Sequence, residues 1–278
     1  MKQAQSTIGK IDSTLHHTRQ TLADGATISW RHAGDGAPLV LIHGGHGNWM
    51  HWLHNITPLS QTHTVWVPDM PGYGESDALP PDADFDALVA RMLHSLDALF
   101  GADTAIDLAG FSFGALVAAS LAARRATRRL VLIGTAGHGR ARRPHPSLQN
   151  WKLASSPEAR SACFAANVAA FMIHDPARID ATALAAYETA CLATRFRSRE
   201  IAESADILPL LRQAAVPTML LWGDADVTAA DPEVFAARLA AAGIDHRFDM
   251  VPGAGHWAQY EASDEINRRM RAFLDSAD

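Results

Sequence analysis

The pentapeptide Gly110-Phe111-Ser112-Phe113-Gly114 follows an apolar run at 104–109 and opens a segment of helical period at 113–124. A strand that turns this sharply into a helix holds its central residue at positive φ. Only small residues two positions either side avoid a clash, which accounts for the glycines. The turn lifts the Ser112 hydroxyl above the sheet and sets it at a helix N-terminus, where the dipole favours developing negative charge. G-x-S-x-G alone occurs by chance. Between a strand and a helix it predicts a nucleophile.

The remaining chain supplies the rest of such a sheet. Apolar runs at 26–31, 38–42, 64–68, 129–133, 217–222 and 246–251 alternate with helical segments. This is the pattern of an α/β fold with a mostly parallel central sheet buried on both faces. The rhythm breaks between 136 and 203, where no strand is readable. Ala-rich helical stretches at 161–172 and 182–196 stand there behind a basic, Pro-broken loop at 139–146. The expectation is a core of 1–135 and 206–278 with a helical cap, or lid, of 136–205. That cap holds nine Lys/Arg against six Asp/Glu, so it is positive while the whole chain carries −6. The imbalance suits either the steering of anionic substrates or a solvated surface.

Composition narrows the function classes. The 278 residues are 48% hydrophobic and 19% charged, a globular balance. No Lys/Arg run of five occurs, so no nucleic acid is expected as a partner. The longest apolar stretch, 115–123, is far short of a membrane helix, and 1–19 shows no apolar signal region. Cys163 and Cys191 cannot build a disulfide framework. These features fit a cytoplasmic protein with no membrane partner.

A serine hydroxyl is inert at neutral pH without a base, and the base needs an orienting acid. Loops at the carboxyl ends of parallel strands share one edge of the sheet. His256, in Pro252-Gly253-Ala254-Gly255-His256-Trp257 just past the last predicted strand, is therefore the candidate base. Trp222-Gly223-Asp224-Ala225-Asp226 follows the preceding strand and offers two candidate acids, either of which could be a turn residue instead. His43-Gly44-Gly45 follows the strand ending at Ile42, and the amides of Gly45 and Phe113 are the natural oxyanion donors. His43 reads as a buried residue that ties this loop down. His46, His51, His54 and His63 lack metal-site spacing, so no metal and no cofactor are expected.

Taken together, His43-Gly44-Gly45, Val67-Pro68-Asp69-Met70-Pro71-Gly72-Tyr73-Gly74-Glu75-Ser76, the Ser112 elbow, Leu221-Trp222-Gly223-Asp224-Ala225-Asp226 and Gly255-His256-Trp257 resemble the serine hydrolase branch of the α/β-hydrolase fold family. The order nucleophile, acid, histidine is the family's. The resemblance implies Asp226 as the acid. It implies a serine hydrolase acting on a small, largely apolar carboxylic ester, thioester or lactone.

Residues 255–261 are also similar to the meta-cleavage-product hydrolases, which cut a carbon–carbon bond in dienoates. That likeness implies a pocket-lining Trp257 and a cap arginine near a substrate carboxylate, for which Arg195 or Arg197 is the candidate. Gly44 is a further candidate substrate contact. Phe111, Gly114-Ala115 and His46-Gly47-Asn48 depart from that subfamily, so carbon–carbon cleavage ranks second. A non-hydrolytic enzyme or a ligand-binding protein on the same scaffold is the further alternative. Ser112 excludes branches that use a carboxylate nucleophile. Trp49, Trp52, Phe111, Phe113, Trp257, Phe164, Phe171 and Phe196 suggest an apolar pocket lining, with core packing the expected role for at least one of the two Phe beside Ser112. The expected partner is a small-molecule substrate, with a homodimer left open.

Overall fold

The computed structural model describes residues 2–139 and 141–276. Among them a single sheet of eight strands runs in the order β1-β2-β4-β3-β5-β6-β7-β8. The strands are β1 (His16–Thr21), β2 (Thr27–Ala33), β3 (Ala37–Ile42), β4 (His63–Pro68), β5 (Ile106–Phe111), β6 (Thr127–Ile133), β7 (Thr218–Gly223) and β8 (His246–Val251). The β1–β2 and β2–β4 pairs are antiparallel, and the five pairs from β4–β3 to β7–β8 are parallel. An α/β architecture with a mostly parallel sheet is what the strand pattern implied.

Burial on both faces explains why the parallel strands read as unbroken apolar runs. Leu39 and Leu41 of β3 join one core, with Ala109, Phe111, Val131 and Ile133. Val40 and Ile42 join the other, with Leu108, Leu130 and Leu132. The two-residue period of a strand makes this division. β1 escaped the sequence reading because its six residues, HHTRQT, contain no apolar side chain. It lies at the sheet edge, held by backbone pairing with β2 and by the Gln20 side chain, which bonds Ser95 and Trp30.

The helix after the elbow, Phe113–Ala122, is buried at all ten positions. Gly114, Ala115, Ala118 and Ala119 keep its side chains small where it meets β5 and β6. Helix Phe85–Phe100 begins at Asp84, whose carboxylate accepts the Ala87 amide, and packs beside it.

No strand occurs among the described residues between β6 and β7. The segment instead contains helices Pro157–Asn167, Ala181–Leu192 and Arg199–Ser204, and a π-helical turn at Val168–Met172. Helix Leu208–Ala214 already packs against Phe113–Ala122, so the chain has rejoined the sheet layers by then. The N-terminal helix Lys2–Asp12 packs against Ala181–Leu192, a contact between the first helix and the insertion that sequence patterning did not reveal.

Candidate active site

β5 ends at Phe111 and the helix starts at Phe113, which leaves Ser112 alone at φ 54°, ψ −118°. The flanking glycines are dictated by contact. A Cβ on Gly110 would run into the Gly114 carbonyl and stand 2.5 Å from the Ala115 Cα. One on Gly114 would run into the His43 carbonyl and stand 2.5 Å from that of Ile42. All of these obstacles are backbone, so neither position can yield. The elbow and the His43 loop are thereby pressed together.

Ser112 Oγ donates to His256 Nε2 at 2.9 Å, and His256 Nδ1 donates to Asp226 Oδ2 at 2.9 Å. Three side chains from the ends of β5, β7 and β8 thus form one hydrogen-bonded line. The other Asp226 oxygen, Oδ1, accepts both the amide and the hydroxyl of Thr228 at 2.7 Å each. The Thr228 hydroxyl also lies 3.3 Å from His256 Nδ1. Burial by itself would raise the Asp226 pKa, but the adjacent His256 and the Thr228 donors outweigh it and hold the carboxyl below its usual range. Asp224 serves elsewhere, with its exposed carboxylate accepting the Gly253 amide in the β8 turn at 2.8 Å. Gly134, at φ +50°, passes so close that a Cβ there would stand 3.0 Å from both Asp226 Oδ2 and His256 Nδ1.

Thr228 and Gly134 were missed in the sequence. Thr228 had a signal, since an aspartate accepting the amide two residues on is an Asx turn and Asp226-Val227-Thr228 permits one. Gly134 had none, because only the fold shows what passes beside it.

The amides of Gly45 and Phe113 donate to no partner among the described residues. A Cβ on Gly45 would lie 3.7 Å from the Phe113 Cβ and 2.6 Å from the Ser198 hydroxyl, so the two loops and the insertion converge at this point. Buried groups hold the loop in place. His43 donates from Nδ1 to the Gly44 carbonyl at 2.8 Å and accepts the Met70 amide at Nε2, 3.0 Å away. Its burial pushes the pKa down to about 4, so the ring is neutral and suited to this paired role. His51 accepts the Gly44 amide at Nδ1, 3.1 Å away, and burial, reinforced by His43, His256 and His46, holds it neutral too. Asp69 accepts the Trp49 and Glu75 amides and so joins this loop to the one after β4.

Ser112 and His256 open into a cleft of about 550 Å³ walled by Phe171, His138, Arg142 and Glu203, among others. Phe171 meets the His256 ring edge-on at 5.3 Å, and Arg142 pairs with Glu203 at 3.2 Å above it. Burial lowers the His138 pKa to about 4 despite the nearby Asp226.

Several expected contacts do not reach this cleft. The Trp257 side chain is fully buried and donates its indole N–H to the His51 carbonyl at 2.9 Å. Gly44 spends its amide on His51 and packs against the Phe111 ring. The Arg195 guanidinium donates to the carbonyls of Ala193, Gly74 and Ser76 and lines a separate depression, as does Arg197. A guanidinium at a helix end finds carbonyls close at hand, and the loop after β4 supplies them. Of the eight rings expected to line a pocket, Phe171 lines this cleft and Phe196 lines the depression beside Arg195. Phe111 and Phe113 flank the elbow, and so turn into the cores on opposite faces of the sheet.

Residues 39–269 match the model of the alpha/beta hydrolase family. The chain belongs to that family. It is 31% identical over 264 residues to the dihydrolipoyllysine-residue acetyltransferase component of the acetoin cleaving system of Pseudomonas putida, covering 90% of this chain and 67% of the relative. It is 28% identical over 257 residues to a 2-hydroxy-6-oxo-6-phenylhexa-2,4-dienoate hydrolase of Burkholderia cepacia, covering 87% and 89%. Among solved structures, an esterase from Rhodococcus sp. ECU1013 superposes with a TM-score of 0.75 at 23% identity, covering 95% of this chain and 99% of that one. At the level of class, the chain is a hydrolase. No helix among the described residues is long and apolar enough to cross a membrane.

Proposed function

We propose that this hydrolase is a serine enzyme that cleaves a small carboxylic ester, thioester or lactone through an acyl-enzyme. The hydrogen-bonded line from Asp226 through His256 to Ser112 at the floor of the cleft carries this reading. His256 Nε2 takes the Ser112 proton as Oγ attacks the carbonyl carbon. Asp226 keeps the imidazole proton on Nδ1 and stabilises the imidazolium that forms. The oxyanion is met by the amides of Gly45 and Phe113, the second at a helix N-terminus. His256 returns the proton to the leaving group and then activates water to release the acid. Residues 136–205 act as the lid, and Phe171 places the acyl group against His256.

A second reading, carbon–carbon cleavage of a dienoate, is favoured by the activity named for the Burkholderia cepacia relative. The engagement of Arg195 with backbone carbonyls speaks against the carboxylate contact that reaction would draw from it. Turnover of p-nitrophenyl butyrate and of a 6-aryl 2-hydroxy-6-oxohexadienoate, measured side by side on wild type and Ser112→Ala, tests both readings. Ester turnover lost in Ser112→Ala supports the first. Dienoate turnover alone, with kcat/KM of about 10⁴ M⁻¹s⁻¹ or more, replaces it with the second. Activity that survives Ser112→Ala within tenfold refutes a serine nucleophile.

A further inference from the structure

Glu261 stands three residues into the chain beyond Ala258 and has no part in the mechanism above, yet its carboxylate is nearly buried at 6% exposure. One oxygen accepts the amides of Gly255 at 2.7 Å and His174 at 3.1 Å, and the other accepts the Asp175 amide at 2.6 Å. Charge-assisted bonds of this kind are about twice as strong as neutral ones. The donors come from two places. Gly255 precedes His256, whereas His174 and Asp175 belong to the insertion.

The other neighbour of His256 is tied in the same direction, since the Trp257 amide donates to the Met172 carbonyl at 2.7 Å. A Cβ on Gly255 would stand 2.8 Å from the His174 nitrogen, so the two backbones lie in contact. The insertion segment is itself irregular. Val168–Met172 forms a π-helical turn, closed by the Ile173 amide on the Val168 carbonyl, and it delivers Phe171 onto the His256 ring. Such turns are frequent at functional sites.

We infer that Glu261 is a positioning residue for His256. Its carboxylate clamps the His256 loop to residues 174 and 175, so that the base and the Phe171 wall of the cleft are set as one unit. This rests on the proposed serine mechanism. A neutral amide cannot replace the clamp, because Gln offers one acceptor oxygen and its NH₂ would face a backbone N–H. A displacement of the base by about 1 Å is enough to cost on the order of 10²-fold in rate.

The test is the rate at which a fluorophosphonate probe modifies Ser112, which needs the base but no knowledge of the substrate. Wild type, Ser112→Ala and Glu261→Gln are compared by saturation kinetics, with the labelled fraction measured at completion. Glu261→Gln is expected to lower the maximal labelling rate by about 10- to 100-fold. Its half-saturating probe concentration should stay within about threefold, and labelling should still go to completion. A merely structural role would instead lower the labelled fraction while the remaining molecules react at the wild-type rate, and that result overturns the proposal. A maximal rate within twofold of wild type overturns it too. Labelling that persists in Ser112→Ala refutes the serine mechanism itself, a distinguishable failure. Should Glu261→Gln not fold, Asp175→Pro removes one donor from the far side of the clamp at a residue whose φ of −82° lies close to that of proline, and Asp175→Ala, which keeps the amide but loses the same carboxylate on the Ala177 amide, is its control. The maximal rate of Asp175→Pro is then read by the same criteria, with a smaller fall expected.

Discussion

Asp226→Asn isolates the orientation of His256 from everything else in the site. Both Thr228 donors fall on Oδ1 of Asp226, which compels the asparagine carbonyl oxygen to occupy that position. The new NH₂ then faces His256 Nδ1 at the place where a carboxylate oxygen now accepts its proton. Donor meets donor unless the imidazole shifts its proton to Nε2. In that tautomer Nε2 points a hydrogen at Ser112 Oγ and can no longer take one. Removal of the orienting acid in this way costs about 10⁴-fold in kcat in the serine protease case, equivalent to about 5.5 kcal/mol of transition-state stabilisation. The same loss, with near-wild-type thermal stability, is expected here. Asp224→Asn is the internal control, since asparagine can still accept the Gly253 amide, and its activity should remain within about threefold. Stopped-flow or fluorophosphonate labelling of both variants beside wild type provides the measurement. If Asp226→Asn keeps activity within tenfold, or if Asp224→Asn is the more damaging, the tautomer argument fails.

Three further outcomes are expected. Gly134→Ala places a Cβ 3.0 Å from Asp226 Oδ2 and His256 Nδ1 at a φ of +50°, so kcat/KM should fall by about 10²-fold while the strain lowers stability by roughly 1–2 kcal/mol; an alanine variant with wild-type kinetics would contradict the packing. Gly114→Ala meets two backbone carbonyls and should yield little folded protein, measured as soluble expression and far-UV circular dichroism; a well-folded variant would show that the elbow is not compressed as described. His43 and His138 are buried and neutral with pKa values of about 4, whereas the unfolded chain takes up these protons near 6.5. The unfolded state therefore binds more protons in that window, and stability is lost as pH falls from 6.5 towards 4. Each ring should contribute about 1.4 kcal/mol of loss between pH 7.5 and 5.5 in urea denaturation, and an unchanged midpoint over that range would refute their neutral burial.

Much of this site was legible because its demands are local. A residue held at φ 54° between a strand and a helix needs glycines beside it wherever it occurs, so the elbow can be read from five letters. The apolar runs are equally local, since a strand buried on both faces has no polar period to obscure it. β1 was unreadable for the converse reason, because its pairing uses backbone groups that every residue carries. Most of the aromatic residues offered as lining belong to the core instead, because hydrophobicity states only that a ring leaves water. It does not say whether a ring enters the core or the cleft, and the alternation of side chains about Ser112 sent Phe111 and Phe113 to the two cores.

By itself the sequence determined the α/β architecture, the elbow serine and the order of the loops that follow β5, β7 and β8, since backbone sterics and burial set all three from neighbouring residues. The residues by themselves left Asp224 and Asp226 level and only the resemblance pointed to Asp226; the tertiary structure sets Asp226 against the histidine, and it alone decided where Arg195 spends its guanidinium and what Glu261 holds together. Those outcomes depend on contacts across 30 residues between His256 and Asp226, 119 between Arg195 and Ser76, and 86 between Glu261 and Asp175. Over such separations the partner is chosen by how the layers pack, and no short motif encodes that choice.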